Sequence, residues 1–335
     1  MKIGKFDTTQ KVFIIAELSA NHNQNLQIAL DTIYAAKEAG ADAIKLQTYT
    51  PDWITLKCDK KEFLAEGLWQ GEYLYDLYKR AMTPLEWHEE LFRYARSLDL
   101  EVFSSPFSKE AVDFLEQFNP CAYKIASFEI TDYELIKYTA SKNKPIIIST
   151  GIATFEEIQD VVDICKNNEL ALLKCTSAYP APRSEVNLKT IPVLKDIFNV
   201  EVGFSDHTLG ISAPIAAVAM GARIIEKHFM LENLDTPDKE FSLNPKEFKE
   251  MVKVVRETEE MIGKIDFKPK KGRDYSRSLY VVKDIKKGDI ITNENIKSIR
   301  PGLSLHPKYL PQILGKKVLK DLKKGDRINL CDIIY

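Results

Sequence analysis

The sequence predicts an α/β fold: a (β/α)8 TIM barrel in residues 1–265 followed by a small second domain. Two observations carry this. Eight short apolar runs alternate with longer amphipathic stretches across the first 265 residues, the strand count and size of such a barrel. The charge also changes sign along the chain: residues 1–265 hold 30 Lys and Arg against 41 Asp and Glu, and residues 266–335 hold 17 against 8. A formal net charge of −2 therefore conceals a −11 segment followed by a +9 one. The change falls in KIDFKPKKGRD (Lys264 to Asp274), which is charged, contains Pro and Gly and has no hydrophobic period. That places a linker at 266–275 and a second domain at 276–335.

The apolar runs are VFIIAEL from Val12, AIKLQT from Ala43, EVFSS from Glu101, AYKIAS from Ala122, PIIIST from Pro145, LALLKCT from Leu170, VEVGFSD from Val200 and ARIIEKH from Ala222. Between them helices are expected at 26–39, 84–97, 109–118, 133–142, 155–167 and 211–220. A doubly wound open sheet usually has fewer strands, and no GxGxxG follows the first run. With 44% hydrophobic residues the chain is not disordered. Its longest uncharged apolar stretch, Leu209 to Ala222, is shorter than the roughly 20 residues a bilayer needs, so no membrane span is expected. The polar start MKIGKFDTTQ has no apolar leader, which reads as a cytoplasmic protein. Five scattered cysteines without a CxxC pair suit reduced thiols rather than disulfides or a thiolate metal cage.

In a barrel the chemistry sits where strands end, on the C-terminal face. Here the runs finish in Glu17; Lys45 and Gln47; Ser104 and Ser105; Lys124 and Ser127; Ser149; Thr176; Ser205, Asp206 and His207; and Glu226 and His228. Strands covered on both faces are ordinarily apolar throughout. Ser149 and Thr176 also fit a second reading, as caps of the following helices. Lys45 and Lys124 lie inside apolar runs, where an ammonium must be paired or serve an anion. With hydroxyls nearby they suit a phosphate or carboxylate substrate. His207 and His228 end consecutive strands and, with a carboxylate such as Glu17, have the make-up of an open metal site; hydrogen-bonded core histidines are the other reading. His22 reads as a loop-shaping residue, and His88 and His306 as surface or helix residues.

The motifs IAELSANHN (Ile15 to Asn23), IKLQT (from Ile44), SSPF (from Ser104), YKIASFE (from Tyr123), IISTG (from Ile147), CTSAYPAP (from Cys175), GFSDHT (from Gly203) and IEKHF (from Ile225), in this order, resemble the sialic acid synthase family. The tail, with RSLYVVKDIKKGDIIT from Arg277, RPG at Arg300 and LGKKVLKDLKKGDRI from Leu314, resembles the antifreeze-like (SAF) lid domain of those enzymes. Its two KKGD turns form a short internal repeat with hairpin chemistry. The run from Leu68 to Phe92, the ELSANHN form of the first motif and LENLDTPDKEFSL (from Leu231) resemble the branch that makes pseudaminic acid. Branches using N-acetylmannosamine or a related sugar, to make N-acetylneuraminate or legionaminic acid, are the alternative.

The resemblance implies a condensation of phosphoenolpyruvate with an N-acylated amino sugar. It implies a divalent metal, Mn2+ or Mg2+, on His207 and His228, with Glu17 ordering water or moving a proton. It assigns Lys45, Lys124, Ser105, Ser127, Ser149, Ser177 and Ser205 to the phosphoenolpyruvate cradle. Gln47, Tyr179 and Asp235 fall near the sugar, and Arg277 and Arg300 on a lid that swaps across a homodimer. The roles of Asn21 and Glu226 are left open. Two other readings are a Schiff-base aldolase using a barrel lysine and a polyanion-binding tail; few aromatics and no arginine-rich stripe speak against nucleic acid.

Overall fold

A computed structural model describes residues 1–269 and 271–334. The chain forms two compact units, Met1–Gly263 and Lys264–Tyr335.

In the first unit eight strands close into a parallel barrel: β1 (Phe13–Glu17), β2 (Ala43–Thr48), β3 (Glu101–Pro106), β4 (Tyr123–Ile125), β5 (Ile146–Ser149), β6 (Leu170–Cys175), β7 (Glu201–Asp206) and β8 (Ile224–His228), with β8 pairing back onto β1. Each coincides with one of the eight expected runs. Alternate residues of a strand face opposite sides, and here the two sides are two separate apolar cores. Ile14, Ala16, Ile44, Leu46, Val102 and Ile225 pack outward under the helices. Phe13, Ile15, Ala43, Phe103, Ala122, Ile147, Ala171, Leu173 and Ile224 fill the interior. A two-residue hairpin, Lys2–Ile3 with Phe6–Asp7, closes the bottom: Ile3 joins the inner core and the Phe6 ring lies 4.7 Å from Phe13. Gly203 belongs to the same face, where a Cβ would come within 2.4 Å of the Ile224 carbonyl oxygen. Only glycine fits that approach.

The inward register continues upward. Two residues beyond Ile15 comes Glu17, beyond Ala43 Lys45 and Gln47, beyond Phe103 Ser105, beyond Ala122 Lys124, and beyond Ile147 Ser149. Past Gly203 come Ser205 and His207, and past Ile224 come Glu226 and His228. The barrel's own periodicity thus carries the polar strand ends to one mouth.

The major helices are α1 (Leu26–Glu38), α2 (Leu74–Ala81), α3 (His88–Ser97), α4 (Lys109–Glu116), α5 (Tyr133–Ala140), α6 (Phe155–Ile164), α7 (Thr190–Phe198), α8 (Ser212–Ala219) and α9 (Pro245–Ile262). The six expected helices are all present, with ends that differ by up to four residues; α2, α7 and α9 are additional. Side-chain oxygens start several of them: Asn25 caps α1, Thr154 and Glu157 form a capping box on α6, and Asn244 and Glu247 another on α9.

The second unit has a core of Leu279, Val281, Ile285, Ile291, Ile296, Ile313, Val318, Leu322, Ile328 and Ile333. Its KKGD turns, with Gly288 and Gly325 at φ +88° and +97°, lie in the connections of two antiparallel pairs, Ser278–Val281 with Ile296–Ile299 and Lys317–Val318 with Ile333–Ile334, but the residues just before the turns do not pair within one repeat. They reach across to each other instead. Asp284 accepts from the Lys324 backbone NH at 2.8 Å and pairs with Lys323 at 3.0 Å; Asp321 accepts from the Lys287 NH at 2.8 Å and pairs with Lys286 at 3.2 Å. Between them Ile285 and Leu322 exchange both backbone hydrogen bonds.

Candidate active site

A cavity of about 460 Å3 opens at the C-terminal mouth of the barrel. At its floor the two expected lysines are both paired. Lys45 Nζ lies 2.7 Å from Glu17 Oε2 and 3.8 Å from Glu226 Oε2, and donates to Ser105 Oγ at 3.3 Å. Lys124 Nζ donates to Ser149 Oγ at 2.7 Å and to the Ile125 carbonyl at 3.1 Å, with Glu226 Oε1 at 3.7 Å. Glu226, whose role the sequence left open, is the carboxylate shared by both lysines, and it accepts from Ser205 Oγ at 2.9 Å. Glu17 Oε1 accepts from Gln47 Nε2 at 3.0 Å.

Burial dominates the electrostatics. It raises the pKa of Glu17 to about 7, helped by the Glu226 charge and opposed by Lys45. On Glu226 burial also pushes upward, but Lys124 and Lys45 outweigh it and hold that carboxyl below its ordinary value. Burial lowers Lys124, whereas on Lys45 the two carboxylates overcome burial and raise it. The floor therefore holds two cations against one firm carboxylate and one that titrates near neutrality. That balance is ready to accept an anion.

Beside it stand the two imidazoles, ring centres 5.4 Å apart. Burial lowers His207 to about 4 and His228 well below its ordinary range, so both are neutral with ligand lone pairs. His207 Nδ1 faces the Thr176 carbonyl at 3.2 Å, which fixes the proton there and frees Nε2. His228 Nδ1 is buried without a hydrogen bond, 3.6 Å from Asp238 Oδ2. These two nitrogens fit a divalent cation. No cluster of three or more His, Cys, Asp and Glu side chains suited to a metal occurs among the described residues.

Outside the barrel wall, alternation puts Asp206 and Lys227 back to back with these groups. Lys227 Nζ pairs with Asp206 Oδ2 at 2.7 Å and binds the Thr208 carbonyl, while Asp206 Oδ1 accepts from the Thr208 NH at 2.8 Å. The pair is wholly buried and clamps the turn that carries His207. Lys227→Met, which strands Asp206, is expected to cost about 3–5 kcal/mol in urea unfolding, most of it recovered in Lys227→Met with Asp206→Leu.

The other nominated residues divide. Ser177 donates to Ser127 at 2.7 Å, and Ser127 also accepts from the Ile152 NH at 3.1 Å. Gly151 makes room for them, since a Cβ there would fall 2.3 Å from Ser177 Oγ. The Tyr179 ring lies 4.4 Å from that of His207, tilted by 51°. Asp235 is not in the cavity: its side chain is 90% exposed and pairs with Lys239 at 2.6 Å. The short 3-10 turn that follows instead delivers Asp238 and Phe241 inward. Arg277 and Arg300 lie exposed on the second unit, Arg277 donating to the Ser298 carbonyl at 2.9 Å. His88 is on a helix as expected but fully buried. Asn21 ties down the loop after β8, bonding the Phe229 carbonyl, Ser242 and Thr236, and His22 accepts from the Gln24 NH. Missed altogether were Glu129, raised by burial to about 7, and a wall formed by Trp69, Leu74, Leu77 and Tyr78.

Residues 32–267 match the NeuB family and residues 276–330 the SAF domain. The chain is 53% identical, over 99% of both chains, to a pseudaminic acid synthase of Campylobacter jejuni subsp. jejuni serotype O:2. It is 49% identical to that of Helicobacter pylori, over 96% of this chain and 97% of the relative. Among solved structures, an N-acetylneuraminic acid (sialic acid) synthetase from Leptospira borgpetersenii serovar Hardjo-bovis in complex with citrate superposes with a TM-score of 0.73. It shares 30% identity, over 82% of this chain and 93% of that one. No helix among the described residues is long and apolar enough to cross a membrane.

Proposed function

The chain belongs to the NeuB family, in its pseudaminic acid synthase branch, and from that premise we propose that it condenses phosphoenolpyruvate with open-chain 2,4-diacetamido-2,4,6-trideoxy-L-altrose to give pseudaminic acid and phosphate. The observation that carries this is the pair of buried lysines ringed by hydroxyls next to two neutral buried imidazoles. Lys124 and Lys45, with Ser149, Ser205 and Ser105, hold the phosphate and carboxylate of phosphoenolpyruvate; charge-assisted bonds in so dry a site are the strong kind. Anion binding releases both lysines in part from Glu226 and Glu17.

C3 of phosphoenolpyruvate attacks the aldehyde carbon, water adds at C2, and the C2–O bond breaks to release phosphate. Glu17 takes one proton of that water and passes it to the alkoxide formed from the aldehyde, and the other leaves with the phosphate as C2 becomes the keto carbon. A divalent cation, Mn2+ or Mg2+, would be held by His207 and His228 and supplies Lewis-acid charge for the aldehyde oxygen. The domain-swapped homodimer belongs to the same reading, with Arg277 and Arg300 as cations of the lid.

The test is phosphate release from phosphoenolpyruvate with N-acetylmannosamine and the 2,4-diacetamido-2,4,6-trideoxy sugars of manno and altro configuration in parallel, before and after chelation. Release is expected with the altro sugar and is expected to stop when metal is stripped. Preference for N-acetylmannosamine would move the chain to another branch; full activity after stripping would remove the metal. Borohydride added during turnover should trap no lysine adduct, since the Nζ atoms of Lys45 and Lys124 are engaged by Glu17, Glu226, Ser105 and Ser149.

A further inference from the structure

The connection between β2 and α3 runs for about 40 residues, where βα loops usually have 2–6. Residues 54–81 of it form one wall of the cavity. Within this wall α2 carries Leu74, Leu77, Tyr78 and Ala81 at the i, i+3, i+4, i+7 spacing of a helix's apolar stripe. Such a stripe normally packs on a core. Here all four residues line the cavity, while Asp76, Lys79 and Arg80 on the other side are exposed. Trp69 completes the surface. Its only donor, Nε1, is spent on the Pro237 carbonyl at 3.1 Å, so the indole offers the cavity apolar surface alone. The wall is firmly placed: Ala65 NH bonds the Glu72 carbonyl, and Gln24 Nε2 bonds the carbonyls of Arg80 and Met82.

The mouth thus has two chemically opposed sides. The floor, with its lysines, carboxylates and hydroxyls, suits the charged substrate. We propose that the opposite wall, Trp69, Leu74 and Leu77 above all, is a subsite for the methyl-bearing substituents of the sugar and selects a deoxy carbon at C6 over a hydroxymethyl one. This rests on the condensation proposed above and adds the residues that choose among amino sugars. A C6 hydroxyl placed against Trp69, Leu74 and Leu77 loses its water without gaining a partner. The discrimination an apolar pocket can achieve against an added hydroxyl is about 10- to 100-fold.

The experiment uses two sugars that differ only at C6, N-acetylmannosamine and its 6-deoxy analogue, with the full-length metal-loaded enzyme. The expected result is a kcat/KM ratio favouring the 6-deoxy sugar by at least about 10-fold in the unaltered protein. Leu74→Asn should lower that ratio at least about 5-fold and leave the KM for phosphoenolpyruvate unchanged. Leu74→Met should keep it. Leu77→Asn is the second variant; Leu74, only half buried, carries the test if the buried Leu77 change impairs folding. A ratio near one in the unaltered protein, or an equal loss for both sugars in Leu74→Asn, overturns the assignment. If neither of these manno sugars is turned over, the condensation reading is still decided by the altro sugar of the preceding test. Quenching of tryptophan fluorescence then still ranks the two sugars: tighter binding of the 6-deoxy sugar supports the wall, and equal binding removes it.

Discussion

Glu17→Gln is expected to lower kcat by about 10²- to 10⁴-fold, the usual worth of a positioned proton-transfer group, with a much smaller change in the KM for phosphoenolpyruvate. The amide keeps the shape of the side chain; its carbonyl oxygen can face Lys45 while its NH2 meets Gln47, whose own amide can turn to present an oxygen. What disappears is the titration. Burial places Glu17 at about 7, where a carboxyl is half in its basic form at neutral pH. A base works deprotonated, so the rate of the unaltered enzyme should fall tenfold per pH unit below 7 and flatten above it. The Gln variant should show no such limb. A kcat/KM profile measured from about pH 5.5 to 9, which reports the free enzyme's groups, decides this. A falling limb above 7 would make Glu17 an acid, and an unchanged limb in the variant would assign it to another group.

The second large effect is acid unfolding. His22, His88 and His207 are each lowered by burial to about 4, and His228 further. In the unfolded chain all four take up protons near 6.5, which the native state refuses. Their stabilisation is therefore complete above 6.5 and is lost as pH falls toward 4, at about 3 kcal/mol for each of the first three. Glu17 and Glu129, raised by burial to about 7, act in the opposite sense: they stabilise below 4.5, and that contribution is lost as pH rises to 7. Four histidines outweigh two glutamates. Urea unfolding at pH 5 should consequently show several kcal/mol less stability than at pH 7.5. His88→Gln, remote from the cavity floor, should lower the slope of stability against pH by one proton. A flat profile from pH 5 to 7.5 would mean that these imidazoles are hydrated.

The strand ends could be read from the sequence because a period of two, once its apolar half is fixed by Phe13, Ile15, Ala43 and Phe103, leaves no freedom about where Glu17 and Lys45 point. What periodicity could not supply was pairing. Lys45 and Lys124 required a partner, but that Glu226 serves both follows only from β8 lying across the closed barrel from β4. Helix α9 was missed although Asn244, Pro245 and Glu247 spell a capping box with proline at the first turn. Helix α7 was hidden by Pro192, which reads as a breaker yet sits harmlessly in the first turn. Asp235 and Asp238 are three residues apart in one polar loop, and no local pattern says which turns inward; the 3-10 turn after Asp238 decides. The wall of α2 was invisible for a different reason: its stripe is indistinguishable from one that packs on a core.

The crossed turns of the second unit have a consequence for how the chain can be shortened. Asp284 finds its partners at Lys323 and Lys324, and Asp321 finds its own at Lys286 and Lys287. Neither repeat is self-sufficient, so the two are clasped like hooked fingers. A protease nick or premature stop ahead of Lys320 would fray not only the tail but also a loop some 40 residues upstream, and half of this unit is expected to be no more use to the protein than none.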